Sequence, residues 1–395
     1  MKKMDMASVE SINNISVPAN EKVSGIPFIS NGESRVISRN YHTLVVSEDD
    51  YQKDEKIICP LIEQISKTKE SFIFNSKSDY IYQKYVSSLK NSGYKVVCIN
   101  IDNPINNDGL NILELAYNLY KEKNVDKAIE LLENIGFYLL YAPEEHMTDP
   151  FWNNSAVNLF IGCTLYSFEK NDNYSLKDIF NLVDDIKLED IDKNSVIYGY
   201  VNSILSFPQE TISSIISVIK EKFGRYVLKD NLCNMVTNST FDIKKITDKN
   251  LAIFIVEGTS NVSRNLVPII INNIYTICNI YGNHNKINIL LNNFDMLAPL
   301  KNVESFISIC SNININITAF INNFDSLNKT YGFESSEMLK MFFKSLIYLY
   351  SENINTMKYI SELCGSIEYM SNLRKLQENE ALFIVVRQLP FMVNI

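Results

Sequence analysis

Eight short runs of apolar, mostly β-branched residues constrain the fold of this chain more than any other feature. Each run is too short for a buried helix, and most are separated by stretches in which apolar residues recur at helical spacing. Runs that are apolar on both faces are typical of strands buried in a parallel sheet. We therefore predict an α/β fold with a doubly wound, mostly parallel sheet. The runs are TLVVS (43–47), SFIFN (71–75), KVVCINI (95–101), LAIFIVE (251–257), INILLNNF (287–294), INITAFI (315–321), SLIYLYS (345–351) and ALFIVVR (381–387).

A stretch without convincing strands interrupts this alternation and predicts an inserted all-α domain. Asp149 and Pro150 are suited to open its first helix, because Asp accepts backbone N–H bonds as an N-cap and Pro fits the first helical position. The polar beginning of the chain predicts a loosely ordered arm. The expected domains are a polar N-terminal arm (1–38), a first α/β part (39–149), the all-α domain (150–245) and a second α/β part (246–395).

Composition excludes several classes of protein. The formal net charge of −9 argues against a protein that wraps DNA through bulk positive charge. The seven cysteines are scattered and include no C-x-x-C pair, as expected for buried, reduced thiols. With three histidines and no cysteine–histidine cluster, we expect no metal site. No signal peptide or apolar run of membrane-spanning length occurs, so we expect a cytoplasmic protein without direct membrane insertion.

The stretch LVVSEDDYQKDEKIICPLI (44–62) has the layout of a phosphate-binding loop. A short apolar strand runs into a charged turn and then into a segment that can be helical. Such loops use glycine so that backbone N–H groups approach phosphate closely. Here glycine is absent, and residues 47–55 carry five acids against one lysine. Several carboxylates near a phosphate would outweigh the attraction of a single lysine.

Six blocks in order resemble the TraG-like coupling-protein ATPases of conjugation and type IV secretion, from about residue 40 to the C-terminus. NSKSDYIYQKYVSSLKNSGYKVVCINIDNPINNDGLNIL resembles the family's D-P-K-G-E-L-Y segment and its D-N-P…G-x-N-P-L segment. DPFWNNSAVNLFIGCTLY resembles its D-P-F-W-x-x-S-A block. The other blocks are LLNNFDML, FINNFDSLNKTYG, YISELCG and ALFIVVRQLPF. The resemblance implies a RecA-like nucleotide-binding domain with an all-α domain, commonly hexameric and anchored by N-terminal membrane helices.

The first departure from the family lies in the phosphate loop. Its G-x-x-x-x-G-K-[ST] pattern aligns with residues 47–54. Ser47 and Gln52 replace the two glycines, and Asp54 replaces the Ser or Thr that would hold Mg²⁺. Lys53 alone keeps its place, with a surface lysine as the alternative interpretation.

Two further departures replace an acidic pair and a glutamine. The resemblance places Asn292 and Asn293 where the family has an Asp–Glu pair, and asparagine cannot act as a general base. Asn323 lies in the turn where the family has a glutamine. Asp295 follows two residues after the asparagine pair, and strand alternation predicts that it lies elsewhere.

Two more residues are candidates for an interface. Trp152, the single tryptophan, is expected to anchor the core between the two domains. Arg264 is a candidate for the interface arginine that reaches a neighbour's nucleotide, and a helix-surface arginine is the alternative. No other catalytic motif occurs.

The pattern of retained blocks and replaced chemistry predicts a soluble, catalytically degenerate pseudo-ATPase. It would act as an adaptor in a conjugative or type IV secretion-like system, without catalytic residues or a cofactor. The expected partners are proteins of that apparatus, such as an active ATPase paralogue or a relaxosome protein, and a partner is the expected route to the membrane. One alternative is an active, unconventional ATPase that moves DNA and binds ATP and Mg²⁺. The other is a structural or regulatory protein that reuses the fold outside secretion.

Overall fold

The computed structural model describes residues 6–20, 22–140, 149–170, 174–258 and 261–395. Within these ranges the chain forms a sheet of twelve strands and seventeen α-helices. The strands are β1 (Ser16–Pro18), β2 (Phe28–Ser30), β3 (Glu33–Ile37), β4 (Thr43–Ser47), β5 (Ser71–Ser76), β6 (Lys95–Asn100), β7 (Leu251–Val256), β8 (Ile287–Leu291), β9 (Ile315–Ile321), β10 (Ser345–Tyr350), β11 (Glu380–Val385) and β12 (Phe391–Asn394). The helices are α1 (Val9–Ile15), α2 (Asp50–Lys53), α3 (Cys59–Thr68), α4 (Tyr80–Asn91), α5 (Glu114–Lys121), α6 (Val125–Leu140), α7 (Pro150–Lys170), α8 (Leu176–Leu182), α9 (Val196–Leu205), α10 (Gln209–Val227), α11 (Asp230–Thr237), α12 (Asn261–Tyr281), α13 (Val303–Cys310), α14 (Phe324–Tyr331), α15 (Phe333–Phe342), α16 (Ile354–Leu363) and α17 (Met370–Leu373).

The sheet is mostly parallel at its centre. Its strand order is β1-β3-β2-β12-β11-β10-β4-β9-β8-β5-β7-β6. The strands β10, β4, β9, β8, β5 and β7 run parallel to their neighbours in this series. All eight apolar runs of the sequence form strands, and the predicted α/β class with a mostly parallel sheet is confirmed.

The last of the eight runs is not parallel, contrary to the prediction. β11 pairs antiparallel with β10, and β12 pairs antiparallel with β11. The chain leaves β10 at the carboxyl edge of the sheet and passes through α16 and α17. It then begins β11 at that same edge, so β11 must run back along β10.

The N-terminal segment also differs from the expected loose arm. From residue 9 onwards it forms α1 and the three short strands β1, β2 and β3, while residues 1–5 lie outside the described ranges. The side chains of Ile12, Phe28 and Val36 are buried. Arg35 secures the pairing of β1 with β3, because its Nε donates to Ser16 Oγ and its guanidinium donates to the Ser16 carbonyl, each at 2.9 Å. Buried apolar side chains spaced between polar ones hold this segment on the sheet.

The chain divides into two compact units. The first contains residues 1–97, 244–256 and 278–395, and the second contains residues 98–243 and 257–277. The second unit therefore includes α5 and α6 as well as α7 to α11 and most of α12. α7 begins as the sequence predicts, since Asp149 Oδ1 accepts the Phe151 N–H at 3.0 Å. This helix is buried along most of its length, with Leu159 and Phe160 in the core of the unit.

All seven cysteines are buried and none forms a disulfide, as predicted. In the part of the chain that the structure describes, no helix has the length and apolar character needed to cross a bilayer.

His42 fastens the beginning of β4 to the neighbouring segments. Its Nδ1 accepts the Ile317 N–H at 3.0 Å, which places the ring proton on Nε2. Nε2 lies 3.0 Å from the Ile307 carbonyl oxygen and 2.9 Å from Ser311 Oγ. Burial lowers the pKa of His42, so the ring is held neutral in the folded protein.

Acidification is expected to destabilise the fold through His42. Because the folded-state pKa lies below the ordinary value of about 6.5, the unfolded chain binds the proton first. The stabilisation from the neutral ring is complete above that ordinary value and is lost as the pH falls below it. We therefore expect the free energy of unfolding of the wild type to fall more between about pH 7 and about pH 5 than that of His42→Gln. Urea denaturation at the two pH values measures both changes. Equal losses in both proteins would contradict this assignment.

Candidate functional site

The candidate site lies at the carboxyl edge of three adjacent strands of the first unit. β4, β9 and β8 are parallel neighbours, so their C-terminal ends meet at the same edge. Ser47 ends β4, Asn292 follows β8 and Asn323 follows β9. The topology thus brings together the three segments that sequence comparison singled out.

The turn after β4 is closed by its own hydrogen bonds. The Glu48 N–H donates to the Tyr350 carbonyl at 3.0 Å, and the Asp49 N–H donates to Ser47 Oγ at 3.2 Å. Ser47 Oγ in turn donates to the Asp49 carbonyl at 3.0 Å. Residues 47–54 include no positive φ angle, unlike a glycine-rich phosphate loop. These backbone donors are directed at protein acceptors.

Asp49 occupies the position at which the helical segment begins. Its Oδ1 accepts the Gln52 N–H at 2.9 Å, and its carbonyl accepts the Lys53 N–H at 3.0 Å. An N-cap carboxylate of this kind satisfies donors that would otherwise face an anion. Gln52 is buried, and its side-chain amide donates to the Glu378 carbonyl at 3.0 Å. The side chains of Ser47 and Gln52, which replace the two glycines of the family pattern, are thus both hydrogen-bonded to backbone carbonyls.

Lys53 is buried, and the surface interpretation of this residue is wrong. Only 2% of its side chain is exposed, and its Nζ lies 2.5 Å from Asp50 Oδ1. Asp50 itself is 77% exposed, so a solvent-facing carboxylate holds a buried ammonium group. A five-residue π-helical turn, Asp54–Ile58, follows directly and joins α2 to α3.

Two carboxyl groups near Lys53 have raised pKa values. Burial raises the pKa of Asp54 to about 6, and Lys53 partly opposes that shift. Burial likewise raises the pKa of Asp295 to about 6, against hydrogen bonds from the backbone around Asn322 and the charge of Lys53. Within the described chain, Oδ1 of each carboxyl group is buried without a hydrogen-bond partner. Around pH 6 these groups are divided between the acid and the carboxylate.

Sequence reasoning missed Asp295 as a member of this site. Its Oδ2 accepts the Asn322 N–H at 3.0 Å, so it lies between the ends of β8 and β9. Asn293 adopts a left-handed conformation with φ 52°, which turns the chain back and ends strand alternation. The signal was the repeated strand exit NNFD, which occurs after both strands.

Asn292 is held by hydrogen bonds to Asn75 and to its neighbour Asn293. The Asn292 N–H donates to Asn75 Oδ1 at 3.0 Å, and the Asn292 carbonyl accepts from Asn75 Nδ2 at 2.8 Å. The Asn293 N–H donates to Asn292 Oδ1 at 3.1 Å. This pairing extends the contact between β5 and β8 with neutral groups.

Glu48 connects the ends of three strands. Its Oε1 accepts from Asn323 Nδ2 at 2.7 Å, and its Oε2 accepts the Glu352 N–H at 2.5 Å. Asn323 also caps α14, because its Oδ1 accepts the Ser326 N–H at 2.9 Å. The ends of β4, β9 and β10 are therefore joined by side-chain hydrogen bonds.

The described residues contain no group of three or more His, Cys, Asp or Glu side chains arranged to hold a metal ion. Chemically, the edge offers carboxylates and amides that are mostly engaged with one another. Its ammonium groups include Lys53, which is paired with Asp50, and the exposed Lys77 just beyond β5, whose Nζ lies 3.8 Å from Met296 Sδ.

The two interface candidates lie in the second unit. Trp152 is half-buried rather than a core residue, and its ring contacts Phe151 at 5.2 Å between centroids. Phe151 contacts Phe207 at 5.6 Å, which gives a partly exposed aromatic cluster. Arg264 lies half-buried on α12.

Comparison with known proteins identifies the family. The model of the family described as "Type IV secretory system Conjugative DNA transfer" matches residues 65–372. No curated protein matches the sequence.

Solved structures of similar fold include the plasmid coupling protein TrwB in complex with ADP and Mg²⁺, with 11% identity, a TM-score of 0.72 and coverage of 100% of this chain and 94% of that one. TrwB in complex with a non-hydrolysable ATP analogue gives 13% identity, a TM-score of 0.70 and coverage of 100% and 93%. VirB4 of Thermoanaerobacter pseudethanolicus gives 11% identity, a TM-score of 0.64 and coverage of 94% and 96%.

These likenesses confirm the predicted RecA-like α/β fold. The family match covers well over half of the chain and confirms the relationship that the six sequence blocks predict. This chain belongs to the family of type IV secretory system proteins of conjugative DNA transfer.

Proposed function

We propose that this chain is a non-hydrolysing member of its family that acts by binding other components of a conjugative DNA-transfer apparatus. The observation that carries the proposal is the internal neutralisation of the phosphate-loop position. The Lys53 ammonium is bound by Asp50, and Asp49 caps the helical segment that a phosphate would otherwise approach. The Lys53 ammonium, which the family pattern would direct at a phosphate, is therefore already paired.

The residues at this position do not fit Mg²⁺–ATP. Each carboxylate within about 4–6 Å of a phosphate costs roughly 1–4 kcal/mol at intermediate dielectric, and Glu48, Asp49, Asp50 and Asp54 lie in or beside the turn. Asp54 stands where a hydroxyl would ligand Mg²⁺. The neutral Asn292 and Asn293 offer no base for an attacking water. We derive no nucleotide-dependent step for this chain.

The aromatic cluster formed by Phe151, Trp152 and Phe207 supports a binding role for the helical segment at about 150–245. Partly exposed aromatic side chains supply large contact areas at protein interfaces. Asp149 and Glu210 flank the cluster and are exposed. A partner segment that combines aliphatic and basic side chains fits this surface, as in a relaxosome protein or an active ATPase paralogue.

Removing the two neutralising acids should create an anion site. In the variant Asp49→Ser/Asp50→Ala, serine keeps the N-cap while both negative charges are lost. We expect calorimetry to detect inorganic pyrophosphate binding to this variant and none to the wild type. The matched control Asp79→Ala/Glu362→Ala removes two exposed acids elsewhere and should bind no pyrophosphate. Pyrophosphate binding by the wild type would show that Lys53 is accessible.

DNA transfer should require this protein but not its lysine. In a host that lacks the gene, wild type and Lys53→Met should restore conjugation equally, since methionine keeps the buried aliphatic chain. Trp152→Ala should restore it poorly, because the aromatic cluster loses its largest member. Circular dichroism of each variant establishes folding. Loss of transfer with a folded Lys53→Met protein would favour the alternative of an active ATPase.

The pKa of Asp295 generates a test of stability. Because the folded-state pKa is raised above its ordinary value to about 6, its favourable contribution is present at low pH and is lost as the pH rises through about 6. Asp295→Asn removes the ionisable group. The free energy of unfolding of the variant, relative to that of the wild type, should therefore rise by about 3 kcal/mol from about pH 4 to about pH 8. Denaturant unfolding across this range measures the difference. Parallel pH profiles would show that the carboxyl group ionises without penalty.

A further inference from the structure

Charged side chains are distributed unevenly between the two edges of the parallel sheet in the first unit. The carboxyl edge carries acids after several strands, including Glu48 after β4, Asp295 after β8 and Glu352 after β10. The amino edge carries several bases together with a few acids. A chain with a net charge of −9 thus concentrates positive charge along one edge.

Six cations mark the amino edge. They extend from the end of β11 to the beginning of β7, across six intervals of the strand order. With strands about 4.8 Å apart, the row is roughly 30 Å long. Its members are Arg387 after β11, Lys344 before β10, Arg39 before β4, Lys67 and Lys69 before β5, and Lys249 before β7. We call this set the basic edge.

Most of the basic edge is available to a ligand. Five of the six side chains are exposed, and only Lys69 is half-buried. Among the described residues, those five have no carboxylate within 4.0 Å. The nearby Glu70 accepts from Asn288 Nδ2 at 2.8 Å, whereas Asp248 is exposed and offsets one charge.

Two depressions on this edge group the cations. Arg39 and Arg387 line a pocket of about 110 Å³ together with Tyr41 and Gln388. Two arginines that line one small pocket suit a phosphate, because a guanidinium group can bind it through paired hydrogen bonds. Lys67, Lys69 and Lys249 line a broader, open depression of about 580 Å³ that contains no acid.

Exposed apolar side chains lie beside these cations. Met341 is 71% exposed, Leu389 is 53% exposed and Val386 is 39% exposed. The Val386 N–H donates to the Lys344 carbonyl at 2.9 Å, so the turn after β11 lies next to the start of β10. Aliphatic side chains among cations suit the boundary between lipid headgroups and acyl chains, whereas a nucleic-acid backbone offers them no apolar contact.

We propose that the basic edge binds the surface of an anionic lipid membrane. Lipid phosphates occupy the two depressions, and Leu389 and Met341 enter the headgroup region. The contact is peripheral and attaches the first unit to the bilayer by its amino edge. This inference does not depend on the proposed loss of ATP hydrolysis.

Sedimentation of the full chain with vesicles tests the proposal. Wild-type protein should bind phosphatidylcholine vesicles that contain phosphatidylglycerol, should not bind pure phosphatidylcholine, and should dissociate as salt is added. The variant Lys67→Gln/Lys249→Gln/Lys344→Gln should lose affinity on the order of a hundredfold, because each lysine near an anionic surface contributes about fivefold. Leu389→Ser should weaken binding severalfold at unchanged charge.

The matched control is Lys77→Gln/Lys358→Gln/Lys375→Gln. It removes three exposed lysines that lie outside the basic edge, in the segments that follow β5 and β10. It should bind vesicles like the wild type. Equal losses in the two triple variants, or no vesicle binding by folded wild-type protein at low salt, would overturn the proposal. Inorganic phosphate that displaces the protein from vesicles at low millimolar concentration would assign the pockets to free phosphate. Duplex DNA bound in preference to vesicles would assign the edge to nucleic acid.

Discussion

The ion pair between Lys53 and Asp50 is the interaction on which the carboxyl edge of the sheet depends. A buried ammonium group must be paired, although water screens part of the attraction because Asp50 is 77% exposed. Lys53 also offsets the charge of Asp54 and Asp295, whose burial already raises their pKa values to about 6. One lysine thus stabilises a cluster of acids, where in a phosphate loop it would stabilise a ligand.

The turn after β4 extends this arrangement to its neighbours. Through Asn323 and the backbone of Glu352, Glu48 joins the ends of β4, β9 and β10. In a nucleotide-binding protein, phosphate and metal ion organise such loops, so the loops change with the ligand. Here the side chains make these connections themselves. The two proposals accordingly assign proteins to the second unit and anionic lipids to the amino edge of the first. They assign no ligand to the carboxyl edge, where Asp54 and Asp295 each keep one buried carboxyl oxygen without a partner among the described residues.

The central strands were predictable because their residues are apolar on both faces and because runs of five to eight residues cannot be buried helices. The strands β1, β2 and β3 were not, since three to five partly buried residues resemble an irregular polar segment. The antiparallel direction of β11 depends on where the chain returns after α17, which no local pattern encodes. Direction and edge position are tertiary properties.

The positions of the site were predictable from motif order, but their chemistry was only partly so. Lys53 was recognised by alignment, yet its burial depends on the packing of the helical segment after β4. Asp295 was missed because the left-handed Asn293 reverses the chain just beyond β8. Trp152 was expected in the core because tryptophan is large and apolar, whereas its place in the first turn of α7 leaves it only partly buried.

Calorimetric titration of the purified wild-type chain with ATP, in the presence and absence of Mg²⁺, tests the central claim most directly. The account predicts no binding heat up to about 1 mM nucleotide for protein shown to be folded, which corresponds to a binding free energy weaker than about −4 kcal/mol. Micromolar binding would contradict the account. It would mean that Lys53 leaves Asp50 for a phosphate and that this member of the family has kept its nucleotide site.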